Sequence, residues 1–305
     1  MSISLSQQNV EGAPAPVEAP AVVISLLDVG RHRLNMLQKM IAARDAEISV
    51  DYVHDLRVGT RRLSEVVALV GGLTEKHIAS AIVTALRDLR QAAGELRDLD
   101  VMHEHLERWR LPAALKHLAH SLAAEMPDRR EALATKLRAA LASPSLSAAL
   151  VLLSQIIDAH ANEAVRVESL ALLDRALARR QKRRRKQLEE AFGKAARKQT
   201  AEALHEARIA VKKLRHVLEL ADGIGRRGVK KELRFFKKLQ SSLGTHHDVH
   251  VIVETLQAQL ARPEVKAIKG LRPAWTKWLR QTNRKQAEIA ADFYRAAYLW
   301  RNNLI

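Results

Sequence analysis

The segment VHDLRVGTRRL at residues 53–63 returns in altered form as LHEARIAVKKL at residues 204–214. In the first copy His54 is followed by Arg57 and Arg61, three and seven positions later, and the second copy keeps cations at both positions. At about 100° per residue, this spacing places the cations of the first copy on one side of a helix, and the opposite side carries Leu56, Leu63, Val66, Val67 and Val70. Each copy therefore predicts an amphipathic helix with one cationic side.

The repeat extends beyond these two segments. The offset of 151 residues (205 minus 54) also pairs Ser49 with Thr200, and each can accept a hydrogen bond from the first-turn amides as an N-cap. It pairs Gly72 with Gly223, where we expect glycine to end the helix in a left-handed conformation. Caps, cations and stops recur in order, and this predicts two homologous helical units.

A second repeated motif follows after a one-residue adjustment of the alignment. With an offset of 150 (244 minus 94), GELRDLDV at residues 94–101 aligns with GTHHDVHV at residues 244–251. Asp98 then pairs with Asp248, and we expect each to follow a helix-ending glycine, where a role as N-cap or as a partner that orients an arginine is sufficient. The same alignment pairs Arg90 with Gln240, so the two units are unequal in charge.

The composition favours an all-α chain. It has 305 residues, is 47% hydrophobic and 4% aromatic, and is dominated by residues with high helix propensity. Pro112, Pro127 and Pro144 are expected at helix boundaries, because proline is tolerated at a helix start and not in its interior. Residues 1–21 alternate alanine with proline towards their end and predict a disordered leader.

The balance of charge indicates a polyanionic partner. The chain has 51 Lys and Arg against 34 Asp and Glu, a formal net charge of +17, so the candidates are a nucleic acid, an anionic membrane surface or a phosphate polymer. The absence of cysteine excludes disulfides, thiolate metal sites and thiol catalysis. No window reaches the roughly 20 apolar residues that a membrane span needs, and we expect a cytoplasmic protein without a membrane partner.

Three further groups of basic residues are candidates for a role in binding. Lys230, Arg234 and Lys237 recur at spacings of four and three residues and form a row along one helix face. Arg87 and Arg90 are their thinner counterpart in the first unit. The run ARRQKRRRKQ at residues 178–187 has cations without a preferred face, which is typical of a solvated helix or a general steering patch.

Both motif pairs, in this order, resemble the conserved histidine α-helical domain family, called CHAD, over about residues 22–303. The resemblance implies an all-α fold of two pseudo-symmetric four-helix bundles, about 22–158 and 163–303, around a basic central cavity. It implies binding of inorganic polyphosphate without catalysis. The E-x-E-x-K motif of the triphosphate-tunnel domain, which precedes the CHAD unit in many relatives, is not found, so we expect the stand-alone form.

The binding residues that the resemblance and the basic rows suggest come from both units. They are His54, Arg57, Arg61, Arg62, Arg87, Arg90, Arg97, His205, Arg208, Lys212, Lys213, Arg215, Lys230, Arg234, Lys237 and His247. If polyphosphate is the ligand, the protein is expected on polyphosphate granules. The sequence leaves open the preferred chain length and the oligomeric state.

Two other function classes stay open. Nucleic-acid binding would explain the charge, but single-strand binders interleave cations with aromatic platforms, and the aromatic residues between Trp275 and Trp300 lie away from both repeats. A metal-dependent phosphohydrolase could use His246 and His250, four residues apart, or the Asp98 and Asp248 pair. The first-half counterpart of HHDVH has no histidine, so we expect no cofactor, no metal and no catalytic residue.

Overall fold

In the computed structural model, residues 24–43, 47–109, 111–266, 268 and 270–302 are described, and all of their regular secondary structure is helical. The prediction of an all-α chain is confirmed. The predicted leader, residues 1–21, lies outside the described residues. The helices are α1 (Leu26–Ala42), α2 (Val50–Val70), α3 (Lys76–Arg108), α4 (Ala113–Ala124), α5 (Met126–Leu141), α6 (Pro144–Ala161), α7 (Glu163–Lys198), α8 (Ala201–Gly223), α9 (Val229–Leu260), α10 (Pro263–Lys266) and α11 (Leu271–Arg301).

The predicted starts of the two repeated helices are confirmed. Ser49 Oγ accepts a hydrogen bond from the Tyr52 amide at 3.1 Å at the start of α2. Thr200 Oγ1 accepts one from the Ala203 amide at 3.3 Å at the start of α8. Because each cap satisfies an amide that has no intrahelical partner, both helices begin at equivalent positions of the repeat.

The prolines lie where the sequence predicts them. Pro112 is the N-cap residue of α4, Pro127 occupies the first turn of α5, and Pro144 is the first residue of α6. The first helical positions have no intrahelical acceptor for their amides, so the missing N–H of proline costs nothing there.

The expectation that helices end at Gly94 and Gly244 is wrong. α3 and α9 continue through these glycines, and Asp98 and Asp248 consequently lie inside helices and cap neither. A glycine in a helix interior costs only about 1 kcal/mol relative to alanine. Buried residues on both sides of Gly94, such as Ala93 and Leu96, keep α3 packed against the core through this point.

The prediction that α2 ends near Gly72 is confirmed, but the expected left-handed glycine conformation is wrong. α2 ends at Val70, but Gly71 has a φ of −59° in the right-handed region, and the chain continues as a short 3₁₀ turn over Gly71–Leu73. In the second unit α8 ends at Gly223, and the left-handed glycine is Gly225, with a φ of 77°. The two stops therefore lie within two residues of equivalent positions, since 70 plus 151 is 221, and they differ in backbone geometry.

Three apolar clusters hold the helices in place. The first fills the N-terminal half between α1, α2, α3, α5 and α6, and it also takes Val217, Leu220 and Ala221 from the end of α8. The second packs α7, α8, α9 and α11 around Phe192, Phe236 and Phe293. The third joins the C-terminal halves of α3 and α9 to α4 and α11. The first and third clusters each combine helices from both halves, so they fix one half against the other.

No single helix among the described residues is long and apolar enough to cross a membrane, although the stretch Ala113–Leu141 passes that test together with Pro144–Ala161 across a 46° bend.

Substitution of the two interior glycines tests the continuity of the long helices. A Cβ added at Gly94 or Gly244 meets no atom within 4 Å, so alanine fits without a clash. We expect Gly94→Ala and Gly244→Ala each to raise the free energy of unfolding by about 0.5–1 kcal/mol, measured by urea denaturation. A loss of stability in both variants would show that a helix break or a close contact requires the glycines.

Candidate functional site

Four helices enclose a central cavity of about 550 Å³, namely α2 and α3 from the first half and α8 and α9 from the second. Its described cationic and histidine lining consists of His54, Arg57, Arg61, Arg97, His105, His205, Arg208, Lys212 and His247. The repeat explains this composition, because the same positions of both copies supply side chains to one space.

Two adjoining cavities lengthen the central one in opposite directions. The first, of about 790 Å³, shares Arg57, Arg61 and Lys212 with it and adds the basic residues Arg87, Arg90, Arg180, Arg184 and Lys213. The second, of about 370 Å³, shares His205, Arg208 and His247 and adds His246 and His250. Because the three cavities share lining residues, they adjoin one another, and we call them together the basic groove.

Five of the sixteen predicted binding residues do not line the groove. Arg62 is exposed, and its carbonyl accepts a hydrogen bond from Arg33 at 2.9 Å. Arg215 forms an ion pair with Glu219 at 2.6 Å. The remaining three, on the N-terminal part of α9, are exposed and lie outside the described lining: Lys230, Arg234 and Lys237. The structure therefore brings together one helix face from each copy. The basic row of Lys230, Arg234 and Lys237 lies apart from them.

The middle of the groove concentrates positive charge in a partly buried setting. Burial, followed by the charges of Arg61, Arg57 and Arg208, lowers the pKa of Lys212 to about 7. Burial and the neighbouring arginines, Arg57 first, lower the pKa of Arg61 to about 10. Each group carries a charge that its neighbours and the loss of water disfavour. An anion between α2 and α8 would relieve both effects.

Among the described residues, six carboxylates line the groove beside ten lysine and arginine side chains, and three of the six lie next to an arginine or a histidine at its centre and at one end. Asp98 accepts a hydrogen bond from Arg57 at 2.8 Å, a contact that fits the second of the two roles expected for it. Asp248 lies 3.5 Å from His105 Nε2, and burial raises the pKa of its carboxyl group. Glu65, at the other end of the groove, is buried and lies 2.7 Å from Arg180. These acids hold cations in position and offset only part of the charge.

The sequence interpretation missed the contribution of α7. The run at residues 178–187 was expected to be a general charge patch, yet Arg180 and Arg184 line the groove, and burial lowers the pKa of Arg184. Their spacing of four residues places them on one face of the helix. The sequence contains this spacing, but cations occupy most positions of the run, so no single face stands out in it. His105 was also missed, because it lies beyond the motif at residues 94–101 and aligns with Thr255, which is not cationic.

The HHDVH segment contributes histidines to one end of the groove and shows no metal site. His246 and His250 line the cavity of about 370 Å³. Within the described part of the chain, no group of three or more His, Asp or Glu side chains is arranged to hold a metal ion. The segment lies inside α9 and does not begin a helix.

The C-terminal aromatic residues lie outside the groove, mostly in the core. Phe293 and Trp300 belong to the second apolar cluster, and Trp278 belongs to the third. Tyr298 is 64% exposed on α11. The described lining of the groove contains no Phe, Tyr or Trp, so the groove offers no such platform on which bases could stack.

Comparison with known proteins agrees with the fold and the motifs. A family model described as the CHAD domain matches residues 30–257. The fold is similar to the crystal structure of the CHAD domain from the plant Ricinus communis, with a TM-score of 0.64 and 22% sequence identity over 94% of this chain and 97% of that chain. A search of curated proteins found no significant match. The matched residues include both copies of both motifs and most of the chain, which therefore belongs to the CHAD domain family.

Proposed function

We propose that this protein binds inorganic polyphosphate in the basic groove and does not act on it catalytically. The observation that carries the proposal is the cluster of partly buried cations from both halves, centred on Arg61 and Lys212, in a groove where the lysines and arginines of the described lining outnumber its carboxylates by ten to six. A linear phosphate polymer has a charge every few ångströms and no base, ring or apolar group. Recognition must therefore come from charge and hydrogen-bond donors, and these are what the groove supplies.

Unused donors support an anionic ligand. Arg184 Nε and Arg208 Nε are buried and have no hydrogen-bond partner among the described residues. Burial without a partner costs a polar group on the order of 1–3 kcal/mol. Both atoms belong to side chains that line the groove. A rotation of each guanidinium group would bring its Nε–H to a phosphate chain.

The shape of the groove favours a polymer over a small anion. The central cavity and its two neighbours join through shared side chains, and together they exceed the space of a single phosphate. Binding to polyphosphate would also place the protein in the cytoplasm on polyphosphate granules, which we include in the proposal.

Removal of the central cations tests the proposed function. Charge-assisted hydrogen bonds contribute about 1.5 kcal/mol or more each, so we expect Arg61→Ala with Lys212→Ala to weaken binding of long-chain polyphosphate about 100-fold. The slope of log affinity against log salt concentration should also become less steep. The measurement is a titration at several ionic strengths.

The matched control removes the same two types of charge elsewhere. Lys277 and Arg280 are exposed on α11, away from the groove. Lys277→Ala with Arg280→Ala lowers the net charge equally and should change affinity less than about threefold, since distant exposed charges are screened by salt. Equal losses in the two double variants would show that net charge, and not the groove, binds the polymer.

A competition experiment separates polyphosphate from nucleic acid. Because the described groove lining contains none of the three aromatic residue types, we expect polyphosphate to displace labelled single-stranded DNA or RNA at equal phosphate concentration, and not the reverse. Preferential retention of RNA or DNA would favour the nucleic-acid alternative.

Lys212 should lower the stability of the free protein while it serves binding. Its pKa of about 7 lies below the usual 10.5, so between these pH values the unfolded chain holds a proton that the folded chain has lost. The free energy of unfolding contributed by this group therefore rises with pH across that window. We expect Lys212→Met to be more stable than the natural protein at pH 7 and to lose this rise.

Urea denaturation from pH 7 to pH 10, with and without polyphosphate, measures the effect. Lys277→Met is the control, because Lys277 is exposed outside the groove, and it should keep the rise with pH. A Lys212→Met variant that is less stable at pH 7 and keeps the rise would show that Lys212 is not destabilised by its neighbours.

A further inference from the structure

The two copies of the repeat place different side chains in the groove at one equivalent pair of positions. Arg97 on α3 aligns with His247 on α9 in the internal repeat, and both side chains line the central cavity. An arginine keeps its charge at every physiological pH, whereas a histidine with an ordinary pKa of about 6.5 does not. The first copy is therefore permanently cationic at this position, and the second can gain or lose charge.

The histidine end contains a direct contact between two rings. His205 Nδ1 and His247 Nδ1 lie 3.3 Å apart, and their ring centroids are 4.7 Å apart. Only one hydrogen can lie between the two nitrogens, so one ring must donate and the other must accept. Two imidazolium rings cannot keep this contact, because both Nδ1 atoms would carry a hydrogen.

The surroundings of the pair disfavour its charged form in the free protein. Burial, followed by the charge of Arg208, lowers the pKa of both rings, and that of His247 falls to about 4. The other titratable and charged groups of the two cavities that share this end are His54, Arg57 and Arg61 from α2, Arg97, Asp98 and His105 from α3, Glu202, Glu206 and Lys212 from α8, and His246, Asp248, His250 and Glu254 from α9.

Resting on the proposed function, we propose that phosphate binding at this end of the groove is coupled to proton uptake by the His205–His247 pair, and that His247 contributes to the pH dependence of binding in addition to Lys212. The negative charge of a phosphate oxygen beside the rings favours their imidazolium forms. In these forms both Nδ1 atoms carry a hydrogen, both can donate to the phosphate, and the contact between the two rings ends. The protons come from solvent. Affinity for polyphosphate then rises as pH falls from about 8 to about 5.5, because the bound state holds more protons than the free state.

The internal repeat supplies the test variant. His247→Arg gives the second half the residue that the first half has at Arg97. We expect this variant to bind long-chain polyphosphate about tenfold more tightly than the natural protein at pH 8 and about equally at pH 5.5. Calorimetric titration at pH 6.5 in two buffers of different ionisation enthalpy should show net proton uptake by the natural protein and a smaller uptake by the variant.

Two further variants separate charge from structure. His247→Gln keeps a hydrogen-bonding side chain without a titratable charge, so it should reduce proton uptake and show no gain in affinity at pH 8. His77→Arg makes the same substitution at a position that is 75% exposed at the start of α3, outside the groove, and it should keep the pH dependence of the natural protein.

The outcomes distinguish this inference from the proposed function. If polyphosphate does not bind between pH 5.5 and pH 8, the proposed function fails, and the inference fails with it. If polyphosphate binds without proton uptake, or if His247→Arg and His247→Gln keep the natural pH dependence, binding in the groove stands and the proton coupling is wrong.

Discussion

The structure depends on holding two cationic helix faces close to each other. α2 and α8 contact one another, and their basic sides line one cavity, so Arg57, Arg61, Arg208 and Lys212 crowd together without enough carboxylates to neutralise them. This arrangement opposes folding, since desolvation and like charges both disfavour it. The apolar clusters must therefore supply the free energy that keeps the two faces together.

The apolar sides of the same helices provide this stabilisation. Leu56 and Leu63 of α2 are fully buried in the first cluster, and Val211 and Leu214 of α8 are fully buried in the second. The end of α8 reaches into the first cluster and ties the two halves together. Each repeated helix thus has an apolar side that stabilises the fold and a cationic side that destabilises it. A polyanion in the groove would neutralise the cationic sides and so remove this destabilisation.

Departures from the repeat make the two ends of the groove chemically different. Arg90 lines one part of the groove and aligns with Gln240, and Arg97 aligns with His247. α7 adds Arg180 and Arg184 on the arginine-rich side, while α9 gathers histidines on the other. The groove is therefore built by duplication and has two chemically different ends.

The sequence by itself determined the helical class, the repeat, the N-caps at Ser49 and Thr200 and most of the groove residues, because amphipathic spacing and capping are local properties of the chain. It did not determine that α3 and α9 pass through Gly94 and Gly244, since tertiary packing outweighs the small helical cost of a glycine. Only the tertiary structure decided that Arg180 and Arg184 belong to the groove and that Arg62 does not. The packing of the apolar sides decides which distant helix a charged helix face lies against. The local sequence of one helix does not contain this information.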